Sequence, residues 1–326
     1  MYFCKNLIYD EKDTMLRSPL NYTGNKYRIL PQILPYFPEQ IDTMVDLFCG
    51  GATVGSNVNC RNIVFIDKCE QLISLLQYLS TCEFERLLKS IEQIIGKYGL
   101  SYSAKFSYSY YKSQINDSNI NNGLKEFNRI AFYNLRADYN ALLDKTSEYA
   151  NQLLYLLIVY GFNNDLRFSK NGDFNLPVGK TDLNQSNLKK IKEYIDRMHD
   201  INSTFICCDF DSERAWNYID MSDFIYLDPP YLITTATYNE NNWNVKEEER
   251  LLNQISIFLE ENKFFALSNV LSKEDAINKP LSDWIEANAG RVRIIDIDYH
   301  YRSSSYNKKN RNALEREVLI IPIQND

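Results

Sequence analysis

The stretch MVDLFCGGATVGSNV, residues 44–58, decides the fold because it joins an apolar run to a pair of glycines, Gly50 and Gly51. We interpret it as a buried strand, a tight turn and the start of a helix. Glycines at such a turn let a ligand approach the backbone closely, and free amides at a helix start favour an anionic group. The spacing GGxxxG differs from the GxGxxG of dinucleotide-binding folds, so the turn alone leaves its ligand open.

Other apolar runs predict the remaining strands of the same sheet. Including the opening stretch, the runs cover 43–49, 62–66, 204–208, 224–227, 264–268, 292–299 and 318–323. Several are uninterrupted, which is typical of strands buried on both faces of a mainly parallel sheet. Residues 245–262 predict a helix, since their apolar residues share one face and acids occupy the first turn. Strands alternating with helices indicate a doubly wound, mainly parallel α/β fold.

The middle of the chain has a different pattern. Residues 83 to about 160 predict helices and contain no strong strand, and residues 161–187 are polar and rich in turn-forming residues. We therefore divide the chain into an α/β domain, residues 1–82 and 199–326, and a mainly helical insertion, residues 83–198.

Composition excludes several classes of protein. The 326 residues are 44% hydrophobic and 24% charged, as in ordinary globular proteins. Because no apolar run reaches 18 residues and no signal peptide is evident, we expect a cytoplasmic protein without a membrane partner. Seven cysteines without a CxxC pair and only two histidines argue against a disulfide framework, a metal site or a histidine-based triad.

The overall charge and the local charge point in different directions. A net charge of −7 argues weakly against a polyanionic partner. Residues 291–316, however, hold seven Lys or Arg against three Asp or Glu. This segment either faces phosphates or is a solvated surface.

Two of the predicted strands end in carboxylates. Asp67 closes the second strand about 17 residues after the glycines, a position that suits a ribose diol in nucleotide-like cofactors. The run 224–227 is followed by Asp228, two prolines and Tyr231. This ending is either a capped strand with a proline turn or an active site at the carboxyl edge of the sheet.

Five stretches, in order, resemble motifs of the Dam-type (alpha-group) adenine-specific DNA methyltransferases, which use S-adenosylmethionine (SAM). They are SPLNYTGNKYRIL, VDLFCGGATV, FIDKCEQLI, YGFNNDLRFSKNGDFNLPVG and LDPPY, with YRSSSYNKKNRNALEREVLI as a weaker sixth match. The resemblance covers most of the chain. It implies a Rossmann-like SAM-binding catalytic domain formed by 1–82 and 199–326, and a DNA-binding target-recognition domain formed by 83–198.

The resemblance implies SAM as the cofactor, no metal, and a set of cofactor-binding positions. These are Tyr22, Lys26, Asp46, Phe48, Gly50, Asp67, Asp209, Phe210 and Asp228. Two of the assignments keep an alternative: Lys26 suits an ordinary helix start, and Asp209 suits a strand-end cap.

The stretch DPPY implies the catalytic residues Asp228, Pro229, Pro230 and Tyr231. The exocyclic amino group of adenine is a poor nucleophile, because its lone pair is delocalised into the ring. Hydrogen bonds from that group to the Asp228 carboxylate and the Pro229 carbonyl favour a pyramidal nitrogen, and Pro230 fixes the peptide between them. Tyr231 offers a flat face on which the base stacks. The reaction implied is direct transfer of the methyl group without a covalent enzyme intermediate.

An adenine inside a duplex must be flipped out before it reaches such a pocket. Candidate DNA contacts are Phe162, Asn163 and Arg167 in the insertion, and Arg302, Lys308, Lys309 and Arg311 in the basic segment. We expect FNLPVG, residues 174–179, to be a structural loop that supports them. The sequence NDL at 164–166 departs from the family pattern of a glycine and a small or apolar residue, which puts a GATC target in doubt.

We therefore expect a bacterial or phage-encoded enzyme that methylates the 6-amino group of adenine in a short site of double-stranded DNA. It acts either in a restriction-modification system, with a cognate restriction endonuclease as functional partner, or as a solitary or phage methyltransferase. The alternatives are methylation of the cytosine amino group, a DNA-binding relative without turnover, and an unrelated nucleotide-binding α/β protein.

Overall fold

The computed structural model of the chain describes residues 15–20, 24–115, 120–233, 243–298 and 315–324. Within them, eight strands form one sheet, in the order β3-β2-β1-β4-β5-β8-β7, with the short β6 paired to β5. The strands are β1 Ile41–Leu47, β2 Cys60–Asp67, β3 Asn202–Cys207, β4 Phe224–Leu227, β5 Phe265–Lys273, β6 Ala276–Ile277, β7 Val292–Ile297 and β8 Glu315–Pro322.

Most of the sheet is parallel. Strands β3, β2, β1, β4 and β5 pair in parallel, whereas β8 lies antiparallel between β5 and β7. The seven predicted runs correspond to seven of these strands, so the mainly parallel doubly wound sheet is confirmed. The two-residue β6 is too short to give a hydrophobic pattern and was not predicted.

Helices cover both faces of the sheet. The helices are α1 Leu30–Ile33, α2 Glu70–Thr81, α3 Phe84–Tyr98, α4 Ser103–Phe106, α5 Tyr108–Lys112, α6 Lys125–Ala141, α7 Glu148–Tyr160, α8 Gln185–Asp200, α9 Glu213–Ile219, α10 Val245–Glu260 and α11 Lys279–Ala287. Apolar residues of α2, α3, α6, α7 and α8 form one core with one face of the sheet, and those of α9, α10 and α11 form a second core on the opposite face. We call these the first and second faces.

Strand alternation divides the side chains between the two cores. In β1, Met44 belongs to the core of the first face, while Val45 and Leu47 belong to that of the second. The prediction for α10 is confirmed, because its apolar stripe from Leu251 to Leu259 is buried against the second face.

The predicted insertion leaves the sheet after α2 and returns to it at β3. Its helix α7 is buried on all sides from Ala150 to Tyr160, as expected of an apolar helix at the centre of a helical layer. Because the core of these helices is continuous with the first face of the sheet, the insertion packs as part of the same body. Its role as a separate recognition domain stays a prediction.

The prediction of an α-helix directly after the glycine turn is wrong. Only the 3-10 helix Gly55–Asn57 forms there, and the chain enters β2 three residues later. Thr53, Val54 and Asn57 have low helix propensities and Gly55 is lower still, so this short connection does not hold an α-helix. The anion site expected at a helix start is therefore not built. Within the described residues, no helix has the length and apolar character needed to cross a bilayer.

Candidate active site

The strand order places one crevice at the centre of the sheet. From β1 the chain proceeds to β2 on one side, and from β4 it proceeds to β5 on the other, so the topology reverses between β1 and β4. Ligands of open α/β sheets bind at the carboxyl ends of the strands at such a point. Leu47 lies opposite Leu227 in the register of these two strands, so the glycine turn and DPPY leave the sheet side by side.

The first face of the sheet becomes polar near this edge. On four neighbouring strands, alternate residues run from apolar side chains in the core to polar side chains at the edge. The polar residues are Asp46 of β1, Asp228 beyond β4, Ser268 of β5 and Glu317 of β8. The site is thus made where the apolar pattern ends on several neighbouring strands near the same edge of the sheet.

Asp228 has two partners from distant parts of the sequence. Lys26 Nζ lies 2.7 Å from Asp228 Oδ2, with only 7% and 20% of the two side chains exposed. The Tyr231 hydroxyl donates to Asp228 Oδ1 at 3.1 Å. Burial raises the pKa of the Asp228 carboxyl, and the Lys26 ammonium opposes that shift. The Asp228 carboxylate is consequently held in place by the Lys26 ammonium and by the Tyr231 hydroxyl of the same DPPY stretch.

Glu317 is a further member of this cluster that the sequence analysis missed. The Tyr231 hydroxyl also lies 3.0 Å from Glu317 Oε1, and Lys26 Nζ lies 4.0 Å from the same oxygen. The Lys26 ammonium sits 4.9 Å from the centre of the Tyr231 ring. The available signal was one acid on the buried side of EREVLIIP, since Glu317 alternates with Leu319 and Ile321.

The glycine turn is a tight and strained segment. Phe48, Gly50 and Ala52 have φ values of 73°, 48° and 58°. Left-handed backbone is uncommon for a bulky residue such as Phe48, and such strain is concentrated at functional sites. Gly55 lies below the turn, where an added Cβ would come within 2.4 Å of Ile63 and 2.9 Å of Asp46 Oδ2.

Two acids, the buried Asp46 and the partly buried Asp67, accept hydrogen bonds from backbone amides of this turn and the next. Asp46 Oδ2 accepts from the Gly55 N–H at 3.0 Å, and burial raises the pKa of Asp46 to about 7. Asp67 accepts from the N–H groups of Gly50 and Cys69 at 3.1 and 3.0 Å. Burial also raises the pKa of Asp67. The neighbouring carboxylates of Asp228 and Asp67 contribute to the shift at Asp46.

An aromatic wall stands beside the turn. The ring centres of Phe48, Phe210 and Trp243 are 5.1 to 5.9 Å apart, and Trp243 was not predicted. Asp209 is partly exposed and lies 2.6 Å from the guanidinium of Arg250, which also covers the Phe210 ring. An apolar wall next to buried acids suits a ligand that combines a flat ring, hydroxyls and positive charge.

Comparison with protein families identifies the family of this chain. The family model of the D12 class N6 adenine-specific DNA methyltransferases matches residues 22–302. The chain belongs to this family. The resemblance to Dam-type enzymes inferred from the motifs is confirmed.

Three curated relatives of this D12 family member are methyltransferases by name, and two of them are named modification methylases. The chain is 33% identical to the type II methyltransferase M.FokI of Planomicrobium okeanokoites over 315 residues, and 32% identical to the modification methylase StsI of Streptococcus sanguinis over 312 residues. It is 28% identical to the modification methylase LlaI of Lactococcus lactis over 325 residues. These alignments cover 94%, 94% and 97% of the chain but 43%, 42% and 46% of the relatives, so it spans less than half of their length.

In this D12 family chain, three of the predicted DNA contacts, Phe162, Asn163 and Arg167, lie on a loop, residues 161–179, that follows α7. The backbone N–H of Phe162 donates to Pro177, and Arg167 Nε donates to Asn175 Oδ1 at 2.7 Å. Phe162 is 46% exposed, and Asn163 is exposed with a φ of 57°. The contacts given for Phe162 and Arg167 thus join them to FNLPVG rather than to the Asp228 cluster.

FNLPVG, residues 174–179, packs into the fold, and its support of DNA-reading residues stays a prediction. Phe174, Leu176 and Val178 are buried. Gly179 passes so close to Gly161 that an added Cβ would lie 2.2 Å from the Gly161 carbonyl oxygen. Only glycine allows the two backbones to approach this closely.

The departure of this chain from the family pattern has a structural explanation at one residue. Asn164 has a φ of 54° and donates its side-chain amide to the Val159 carbonyl at 2.5 Å and to Thr181 Oγ1 at 2.9 Å. Its side chain therefore satisfies a carbonyl of the last turn of α7 from beyond the end of the helix. Asp165 accepts from the Leu166 N–H through Oδ1.

Several predicted site residues lie outside the described residues. They are Tyr22, Arg302, Lys308, Lys309 and Arg311. The structure brings Lys26, Asp228 and Tyr231 into one cluster and Asp46, Gly50 and Asp67 into a second. The functional roles of all these residues stay predictions. The described residues contain no group of three or more His, Cys, Asp or Glu arranged to hold a metal ion.

Proposed function

We propose that this chain transfers a methyl group from SAM to the 6-amino group of adenine in double-stranded DNA. One observation carries the proposal: Asp228 is fixed beyond the end of β4, at the reversal of the sheet and beside the glycine turn of β1. Membership of the D12 class family agrees with it.

The DPPY stretch acts on the amino group of the flipped base. Asp228 accepts a hydrogen bond from one N–H of the amino group and the Pro229 carbonyl accepts from the other. These hydrogen bonds favour a pyramidal nitrogen whose lone pair is available for methyl transfer. Pro230 sets the geometry of that peptide, and neither proline has an N–H that would compete. The ring of Tyr231 stacks on the base and contributes about 1–3 kcal/mol, by analogy with other base–aromatic contacts.

Lys26 supports Asp228 in this proposal. At 2.7 Å its ammonium favours the ionised form of the carboxylate, which burial disfavours. The family resemblance places Lys26 among the cofactor-binding positions, and the geometry adds this contact with the catalytic acid. Because both side chains are buried, the pair is screened little by solvent.

The residues of the second cluster fit SAM. Asp67 would hold the ribose hydroxyls, Asp46 and the Phe48–Gly50 turn would border the charged part, and the Phe48–Phe210–Trp243 wall would take the adenine ring. Tyr22 belongs to this set by resemblance. Asp209 would reach the adenine amino group only in exchange for its ion pair with Arg250. SAM supplies an electrophilic methyl group.

The insertion, residues 83–198, is proposed as the target-recognition domain. Arg167 would read a guanine edge, Asn163 would contact a base or phosphate, and exposed Phe162 would fill the space left by the flipped base. The basic segment with Arg302, Lys308, Lys309 and Arg311 would neutralise phosphates.

We further propose a modification role in a restriction-modification system, because two of the relatives quoted above, StsI and LlaI, are named modification methylases. A solitary or phage enzyme is the alternative. A cognate restriction endonuclease would then be a functional partner, and the compartment would be the cytoplasm of a bacterium. The recognition sequence is open, since the NDL residues 164–166 differ from the pattern of GATC enzymes.

Methylation-aware sequencing of DNA from cells that express the protein tests the proposal. We expect 6-methyladenine at one short site, and its loss with Asp228→Ala. Asp223→Ala is the matched control, because Asp223 lies before the opposite end of β4 and its carboxylate accepts from the N–H groups of Asp42 and Thr43, away from the Asp228 cluster. Detection of methylcytosine in place of 6-methyladenine would show that cytosine is the methyl acceptor. A folded protein that binds SAM and modifies no DNA would contradict the activity.

A further inference from the structure

Glu317 is an acid in an otherwise apolar part of β8. The strand lies between β5 and β7, where Glu317 pairs with Val270 and Ile297, and the residue is 4% exposed. Its neighbours Val318, Leu319 and Ile320 are fully buried. Burying a carboxylate costs free energy unless it is paired. The partners of Glu317 therefore indicate why an acid stands here.

Those partners are residues of the catalytic cluster. Glu317 Oε1 lies 3.0 Å from the Tyr231 hydroxyl and 4.0 Å from Lys26 Nζ. The same hydroxyl lies 3.1 Å from Asp228 Oδ1. A phenol has one proton, so Tyr231 donates to only one of the two carboxylates at a time.

The proposed reaction changes what Asp228 must do. Because Lys26 lies at Asp228 Oδ2 and the Tyr231 hydroxyl at Oδ1, an adenine amino group that donates to Asp228 would share one of these oxygens with a donor already present. If Asp228 were the sole acceptor of the phenol, sharing Oδ1 would weaken the anchor of the Tyr231 ring when the base needs it as a stacking surface. Glu317 offers the phenol a second acceptor at almost the same distance.

The charges of the cluster lead to the same conclusion. With both carboxylates ionised, Asp228, Glu317 and Lys26 carry a net charge of one negative unit. Positive charge develops on the accepting nitrogen during methyl transfer. A fixed negative charge in a buried site stabilises that change more than it would in water.

We infer that Glu317 is a positioning residue for the transfer: it holds the Tyr231 hydroxyl while Asp228 receives the amino group. The inference rests on the proposed function, because it concerns a residue that acts through Tyr231 on the same reaction. Glu317 itself need not touch the substrate.

Glu317→Ala and Glu317→Gln test this role by single-turnover methylation of the DNA site. We expect Glu317→Ala to lower the rate roughly ten- to hundredfold, because it removes one charge-assisted hydrogen bond. Gln keeps an acceptor for the phenol and should recover part of the rate. The dissociation constant for SAM, measured by calorimetry, should change less than about threefold. Glu315→Gln is the matched control, since Glu315 lies on the same strand and pairs with Lys273 at 2.8 Å.

A double-substitution cycle separates positioning from a general structural effect. Tyr231→Phe keeps the ring and removes the hydroxyl. If Glu317 acts through that hydroxyl, Glu317→Ala should lower the rate much less in the Tyr231→Phe background than in the unmodified protein. Equal losses in the two backgrounds would overturn the inference.

The dependence of the methylation rate on pH provides a second test. It uses Glu317→Gln, so it remains available if Glu317→Ala does not fold. Burial raises the pKa of Glu317, and the charge of Asp228 raises it further. If the rate requires ionised Glu317, Glu317→Gln should remove that ionisation from the profile and move the acid limb to lower pH. If Glu317→Ala does not fold, an unchanged rate and an unchanged acid limb in Glu317→Gln overturn the inference. An unmodified protein that methylates no DNA overturns the proposed function and the role of Glu317 together.

Discussion

Individual residues of the site carry more negative charge than their contacts compensate. Asp46, Asp67, Asp228 and Glu317 are buried or nearly so, and burial raises the pKa of each carboxyl. Among the described ion pairs, Lys26 is the cation that contacts this group. Buried acids of this kind lower the stability of the folded chain, and a cationic ligand would compensate their charge.

Asp46 gives a prediction on stability and pH. Its pKa rises from 3.8 to about 7 on folding, so between these values the native protein binds a proton that the unfolded chain has lost. The stabilisation is fully present below about pH 4 and is lost as the pH rises through about 7. Asp46→Asn should remove this dependence and stabilise the SAM-free protein at pH 8. Urea titrations of both proteins at pH 5 and pH 8 measure it, and equal pH slopes would contradict it.

Arg167 gives a prediction on site choice. The Asn175 side chain accepts from Arg167 Nε at 2.7 Å and the Asn175 carbonyl accepts from Nη2 at 3.4 Å, so the guanidinium is oriented although the side chain is exposed. Arg167→Ala should relax the choice of site at one position, at a cost of about 1–3 kcal/mol of discrimination. Sequencing of methylated DNA from expressing cells compares the sites. Unchanged discrimination would remove Arg167 from the reading residues, and Lys170→Ala, an exposed cation of the same loop, is the control.

The sequence predicted the residues whose position follows from one strand, and missed those that depend on packing between elements. Asp67 and Asp228 were found because each follows an apolar run. Glu317 and Trp243 were missed, since the contact of Glu317 with Tyr231 and that of Trp243 with Phe48 each join parts of the chain that are distant in sequence. Likewise, the sequence does not show that Arg250 pairs with Asp209.

Secondary-structure elements followed the sequence where burial decides them. The strand at Phe224–Leu227 is as predicted because four consecutive apolar residues suit a position buried on both faces. The helix after the glycine turn was wrong because hydrogen bonding to Asp46 and a short connection decide that segment. At the end of α7, the cap formed by Asn164 is a local interaction that a comparison of motifs treats only as a mismatch.

The 161–179 loop gives a prediction at this scale. Gly179→Ala would place a Cβ 2.2 Å from the Gly161 carbonyl oxygen, and both partners are backbone, so the loop must move. DNA methylation should fall at least tenfold, while SAM binding measured by calorimetry stays unchanged. Gly96→Ala is the control, because nothing lies within 4 Å of an added Cβ at this position in the last turn of α3. Normal methylation by Gly179→Ala would show that the loop is not needed in its present position.

The whole molecule is expected to unfold as one unit, because the helices of residues 83–198 share a core with the first face of the sheet. The three tryptophans, at 216, 243 and 284, all lie outside this segment. Their fluorescence therefore reports on the α/β part, whereas far-ultraviolet circular dichroism reports largely on helices of the insertion. We expect the two urea transitions to coincide. Separate midpoints would show an independently folding insertion.

A substitution inside the insertion tests the same coupling. Leu154→Ala in α7 removes a fully buried side chain and should destabilise the protein by about 2–5 kcal/mol. Because the core is shared, the tryptophan transition should move together with the dichroism transition. Leu143→Ala is the control, since Leu143 is fully exposed in the same segment. A tryptophan midpoint unaffected by Leu154→Ala would contradict the coupling.

The shared core also limits how new specificities can arise. A recognition segment joined to the enzyme only by its two ends could be exchanged as a unit between enzymes, but α7 and α8 are themselves part of the packing on the first face. Exchange of the whole segment would expose that face. Variation tolerated by the fold is therefore concentrated in exposed side chains of the 161–179 loop, such as Phe162, Asn163 and Arg167. Enzymes of this design should diverge in target site by point substitution on a preserved support rather than by domain shuffling.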